Sequence, residues 1–205
     1  ATPTVTVHAL ARSGEDTAQP DIKIQLAHIS GADRLALDNG LGVDAFPGFN
    51  IGSFQLRPTS RGSVHAASSN PGQAPKIHAN YLATEKDVEI TLRGLKACRR
   101  VAQQPALSDL VVREARPGLE TASDDDLLDY ARATGQTSFH PVGTCKMGSD
   151  AMAVVDSKLK VHGMVGLRIA DASVMPVLVS SNTNAPSIMI GERCAEFIKA
   201  ERAAS

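Results

Sequence analysis

Two stretches of the sequence carry residue types whose spacing suits chemistry. The first is TSFHPVGTCKMG, residues 137–148, and the second is SSNTNAPSIMIGERCA, residues 180–195. In the first, His140 stands before a Pro-Val-Gly-Thr run that is rigid and then tight. Such a turn fixes an imidazole instead of letting it swing, and imidazole is the side chain that exchanges protons near neutral pH. His8, His28, His65, His78 and His162 have no comparable setting and read as structural or exposed. In the second stretch, Asn182, Thr183 and Asn184 precede a helix that Pro186 opens. Two readings stay open from these residues alone. One is an ordinary Asn or Thr N-cap. The other is a helix mouth whose unpaired amides and positive potential suit an electron-rich ring carbonyl that gains negative charge.

Metal chemistry finds no support. Cys98, Cys145 and Cys194 are widely spaced and match neither a zinc pattern nor a disulfide framework, so they read as reduced thiols, which favours the cytoplasm. The run Asp124, Asp125, Asp126 could suggest calcium, but it lacks the alternating ligands and distal Glu of a calcium loop and reads as the acidic first turn of a helix capped by Ser123.

Hydrophobic periodicity sets out the elements around these stretches. Residues 3–10 and DIKIQLAHI (21–29) alternate as strands, the latter with Ile22, Ile24 and Leu26 on one face. Residues 30–50 read as a long loop, 49–56 and 62–67 as two strands, and NPGQAPKIHANYL as a loop. Thr84 caps an amphipathic helix with Val88, Leu92, Leu95, Cys98 and Ala102 as its apolar stripe, ended by Pro105. A second helix runs from Ser123 to a stop at Gly135. LRIAD (167–171) reads as a buried parallel strand ending in Asp171. The last helix should turn Ile188, Ile190, Cys194, Phe197 and Ile198 inward.

Bulk properties narrow the class. The chain has 205 residues, 42% of them hydrophobic, enough for a real core. A net charge of −1 gives no attraction for nucleic acid or an anionic membrane, and 3% aromatics without Trp give no stacking surface for single strands. No apolar run approaches the ~20 residues of a membrane helix. The first residue is Ala1, not Met, which suggests a piece of something longer.

Three runs in order, HPVGTCKMG, LRIADASVMP and SSNTNAPSIMIGE, resemble the C-terminal signature of the glucose–methanol–choline (GMC) flavin oxidoreductases. The earlier LRPTSRGSV and PKIHANYL resemble the strand and loop that precede it in that family. The resemblance runs from about Asp21 to Ile198, and is closer in texture to choline dehydrogenases and bacterial alcohol dehydrogenases of the family than to glucose oxidase. It implies FAD as cofactor and an alcohol as substrate. His140 matches the family's catalytic histidine, and Asn182 its second active-site position. Asp171 and Ala172 match the segment beside the ribityl chain and pyrophosphate of FAD, and Asn184 and Ala185 the backbone near the flavin pyrimidine edge. The chemistry is coherent: oxidising an alcohol removes a hydride from carbon and a proton from oxygen. Histidine can take the proton. Asparagine cannot, but it can donate a hydrogen bond to the developing alkoxide.

The family's N-terminal GxGxxG turn, which binds the ADP half of FAD, has no counterpart here; GADRLALDNGLG (31–42) has glycines in another spacing. The expectation is therefore an α+β chain: part of a substrate domain over residues 1–135, an antiparallel sheet with helices, then the C-terminal strand and helix of an FAD-binding α/β domain over 136–205. Its function would be that of the C-terminal portion of an enzyme oxidising a primary alcohol to an aldehyde, completed by an N-terminal half that this sequence lacks. The alternatives are a non-redox lyase of the same family and an inactive fragment or partner-binding module. The apolar last helix and the edge of LRIA suggest self-association. Location is expected to be cytoplasmic, with membrane association left open.

Overall fold

The computed structural model describes residues 5–31 and 43–204. Pro3 and Thr4 of the first predicted strand, and residues 32–42 of the predicted loop with most of its glycine-bearing run, lie outside the described residues. The chain forms a mixed α and β structure of small antiparallel sheets and helices, in two compact units: Ala1–Ser60 with Leu82–Gln136, and Arg61–Tyr81 with Thr137–Ser205.

In the first unit, β1 (Val5–Ala11), β2 (Ile22–Ala27) and β3 (Asn50–Gln55) make an antiparallel sheet in sequence order, with Leu10 opposite Lys23 and Ile24 opposite Ser53. Helix α1 (Glu85–Ala102) starts where the Thr84 hydroxyl accepts from the Asp87 amide. It packs on β2 and β3 through Ile90 and Ala97, which join Ile22, Ala11 and Ile24 in one core. Gly94 lets the helix approach: a Cβ there would stand 2.5 Å from the Ser53 hydroxyl. The buried face is therefore Asp87, Ile90, Gly94, Ala97 and Cys98, a correction to the predicted stripe, of which Val88, Leu92, Leu95 and Ala102 are only half-buried. Close helix–sheet contact selects small residues, which hydrophobicity alone does not mark. Burial pushes the Cys98 thiol up to about 11, against a hydrogen bond with Ser53 that lowers it, so it stays protonated. Two further helices follow, α2 (Pro105–Ser108) and α3 (Asp124–Thr134). Ser123 caps α3 by accepting from the Asp126 amide, as expected, and α3 buries Leu127. Gly135 ends α3 in extended backbone, not in the left-handed conformation common at helix stops.

Asp87 does more than favour the helix start. Its carboxylate accepts from Gln55 Nε2 (2.8 Å), the Thr59 amide (2.8 Å) and hydroxyl (2.9 Å), and the Ser60 amide (2.7 Å). Burial opposes its ionisation. The Ser60 hydroxyl, the Thr59 and Ser60 amides and Gln55 outweigh that and hold the carboxyl well below the usual carboxylate range.

In the second unit, β4 (Ser63–His65) and β5 (Lys76–His78) pair as a hairpin. The sequence reading puts β5 in a loop; three residues after a proline carry too little periodicity to mark a strand, and pairing with β4 defines it. The run LRIAD is also corrected. It is not a buried parallel strand: Leu167 is 44% exposed, and the run folds back on its own preceding turn through an antiparallel bridge from Arg168 to Lys160. The Val161 amide donates to the Leu167 carbonyl and the Ile169 amide to that of Leu159. Helix α4 (Asn184–Ala203) packs Ile190, Cys194 and Phe197 on Val155, Leu159, Val174 and Met175. Ile188 (60% exposed) and Ile198 (37%) are not in this core, contrary to the expectation. At 100° per residue Ile188 lies about 160° round the helix from Ile190. At the far end of α4, Glu201 binds Lys160 (2.7 Å) and Arg168 (2.7 Å), and these hydrogen bonds lower its carboxyl to about 2.

Among the described residues, no helix is long and apolar enough to cross a membrane, and no group of three His, Cys, Asp or Glu could hold a metal.

Candidate active site

The turn that carries His140 is bracketed by two left-handed residues. Phe139 has φ +59° and Gly143 φ +87°. For an aromatic residue that conformation is unusual and costly. Here the Phe139 amide donates to the Thr137 hydroxyl (3.1 Å), which helps to hold it. Between the two, Pro141 stiffens the backbone. Past the turn, the chain is stapled to the 3-10 turn Ala172–Val174: the Cys145 amide donates to Ser173 O (3.0 Å) and the Met147 amide to Val174 O (2.8 Å). Val142 and Met147 add side chains to the core under α4. His140 is thereby held, half-buried, on a loop anchored by the residues that follow it.

The second stretch meets it from the start of α4. Asn182 Nδ2 lies 2.7 Å from His140 Nε2, and Thr183 Oγ1 lies 2.9 Å from His140 Nδ1. An amide nitrogen is a donor only. With the Asn182 amide so oriented, Nε2 is the acceptor and presents its lone pair to the side where Asn182 stands. Thr183 occupies the N-cap position, yet its side chain makes no cap hydrogen bond. The hydroxyl goes to the imidazole instead. The first amides of a helix have no intrahelical acceptor, and Pro186 removes one donor outright. Asn184 and Ala185 thus begin α4 exposed and without a side-chain cap.

Asp171 is exposed and caps the 3-10 turn, its Oδ1 accepting from the Ser173 amide at 2.7 Å; Ala172 follows as the first residue of that turn. The structure thus brings His140 and Asn182 into direct contact. It sets Asn184 and Ala185 in the first turn of the helix that Asn182 precedes, and ties the Asp171–Ala172 turn to the His140 loop through backbone bonds. The sequence reading gives Thr183 no role beyond capping. A threonine just before Asn-Ala-Pro is an ordinary cap by residue type, and nothing in the sequence shows its hydroxyl turning away from the helix. The left-handed Phe139 likewise has no sequence signal, because bulky residues rarely take that conformation.

Residues 58–191 match the family model described as GMC oxidoreductase. The chain is 45% identical over 152 residues to the oxygen-dependent choline dehydrogenase of Pseudomonas fluorescens (strain Pf-5), a match covering 74% of this chain and 27% of that one. It is similar in structure to pyridoxine 4-oxidase from Mesorbium loti, with a TM-score of 0.80 and 29% identity over 92% of this chain and 36% of that one. A formate oxidase variant of Aspergillus oryzae, studied for FAD modification, gives a TM-score of 0.80 and 29% identity over 91% of this chain and 33% of that one. The chain belongs to the GMC oxidoreductase family, a family of FAD-dependent oxidases and dehydrogenases, and is choline dehydrogenase-like. It spans between about a quarter and about a third of the length of these relatives.

Proposed function

We propose that this chain is the C-terminal portion of an FAD-dependent enzyme that oxidises a primary alcohol to an aldehyde, with His140 as the proton acceptor. The observation that carries the reading is the imidazole itself: Nδ1 is occupied by Thr183, while the lone pair of Nε2 accepts from the Asn182 amide, so that a proton acceptor and a donor stand side by side. An alcohol oxygen that replaces their mutual contact would give its proton to Nε2 as the carbinol C–H bond breaks. The same oxygen would accept a hydrogen bond from Asn182 as negative charge grows on it. One proton and one hydride leave the alcohol, and a carbonyl remains.

The residues present fit FAD. The uncapped start of α4 at Asn184 and Ala185 offers amide donors and positive potential to an electron-rich carbonyl of the ring. Asp171 and Ala172 lie exposed or half-exposed on a turn fixed to the His140 loop, where a ribityl chain or phosphate could run. FAD, when bound, supplies the hydride acceptor. The remainder of the cofactor site is proposed to come from the part of the protein that the relatives have beyond this segment.

Since a choline dehydrogenase is among the relatives of this chain, choline is the first alcohol to try. The complete flavoprotein, mixed anaerobically with choline and a panel of other primary alcohols, should bleach its flavin and yield the aldehyde. A protein that cleaves a hydroxynitrile or another C–C bond while no alcohol bleaches its flavin would overturn the redox reading. Asn182→Ala should slow flavin reduction by roughly one to two powers of ten, the loss of a hydrogen bond worth about 1–3 kcal/mol. Single-turnover reduction measures this, and an unchanged rate would remove Asn182 from the site.

A further inference from the structure

We infer that Thr183 is the positioning residue for His140: its buried hydroxyl accepts the Nδ1 hydrogen and so holds the ring in the tautomer whose Nε2 carries the lone pair. The inference rests on the reading of His140 as proton acceptor. Four observations carry it. First, the geometry leaves one consistent pattern. Asn182 Nδ2 can only donate, so Nε2 of the neutral ring bears no hydrogen. The hydrogen is then on Nδ1, 2.9 Å from the Thr183 oxygen, which has lone pairs to receive it. Which ring nitrogen is free for chemistry is set by the bond the other one makes.

Second, Thr183 is placed for this work and not for capping. It sits where a threonine normally bonds a helix amide, and it does not do so. Third, it is rigid. Thr183 is only 7% exposed, and its carbonyl accepts from both the Ser187 amide (3.0 Å) and the Ser187 hydroxyl (2.7 Å), which lock its backbone to the first turn of α4. Its β-branch then restricts the side-chain torsion. Fourth, a hydroxyl oxygen suits both states of the base. When Nε2 gains a proton, the imidazolium still donates from Nδ1, and Thr183 accepts unchanged. The ring therefore needs no reorientation between its neutral and charged forms, which is the condition for a preorganised base.

The test pairs two readouts. In the complete flavoprotein labelled with 15N-histidine, imidazole resonances report which nitrogen is protonated; the His140 signals are those lost in His140→Gln. In the complete flavoprotein, anaerobic stopped-flow gives the rate of flavin reduction by alcohol. Wild type is expected to show the Nδ1–H tautomer. Thr183→Val, which keeps the shape and removes the hydroxyl, should lose that preference and slow reduction about 10-fold, short of the ~10⁴ caused by a fully wrong tautomer in a catalytic triad. Thr183→Ser should restore both. A valine variant that keeps the Nδ1–H tautomer overturns the inference whatever its rate, and so does one that loses the tautomer but reduces flavin like wild type. Should the valine variant fail to fold, Thr183→Ala is read by the same two criteria. Failure of the underlying reading shows separately, as normal flavin reduction by His140→Ala.

Discussion

In the complete flavoprotein, His140→Ala is expected to slow flavin reduction by alcohol about 10²–10⁴-fold, the usual worth of a positioned general base, or roughly 3–5 kcal/mol. The loss falls on the chemical step. The proton moves at or near the transition state, so kcat and kcat/KM drop together while KM changes little. FAD remains bound, because His140 is proposed to face the alcohol oxygen and the cofactor contacts are assigned to Asp171, Ala172, Asn184 and Ala185. The visible flavin spectrum after gel filtration checks retention. Lost cofactor would mean that His140 has a structural role.

Asp87→Ala is expected to destabilise the first unit by about 3 kcal/mol. The number follows from what the carboxylate leaves behind. Two amides (Thr59, Ser60), a hydroxyl (Thr59) and Gln55 Nε2 all point at Asp87, which is 2% exposed. Donors left unsatisfied in such a place cost about 1–3 kcal/mol each, with relaxation reducing the sum. The effect depends on pH in a defined direction. The folded carboxyl titrates below its unfolded value, so its contribution is complete above the ordinary carboxylate pKa of about 3.9. It is lost as pH falls from there through the lower folded value. Deuterium uptake by α1 at neutral pH and near pH 3 should show a gap between wild type and variant that narrows in acid. A neutral-pH difference under about 0.5 kcal/mol would contradict the network.

Helix caps and the His140 turn are legible because their information is local. Thr84 and Ser123 cap as their residue types suggest, and each accepts from the amide three positions on. His140 before Pro-Val-Gly-Thr and Asn182 before a proline-opened helix stand out in the sequence for the same reason. What was not legible depends on partners distant in sequence. Strand β5 exists by pairing with β4, and LRIAD pairs with the turn before it and not with a parallel neighbour. Apolar character marked Ile188 for the core, but residues two apart on a helix, such as Ile188 and Ile190, cannot share one face. An aspartate in the first turn of α1 suits the helix dipole by residue type alone, and only the fold brings Gln55, Thr59 and Ser60 onto the Asp87 carboxylate. Thr183 shows the same limit: the residue type offers a hydroxyl, and only the fold decides whether helix or imidazole receives it.

The most direct measurement of the central claim is chemical rescue. The complete flavoprotein carrying His140→Ala is reduced anaerobically by saturating alcohol in the stopped-flow instrument, with increasing free imidazole. If His140 Nε2 takes the alcohol proton, reduction is slow without imidazole and accelerates with its concentration, while wild type does not respond. Reduction of the unsupplemented variant within about threefold of wild type would contradict the account, since a lost general base costs at least ~10²-fold.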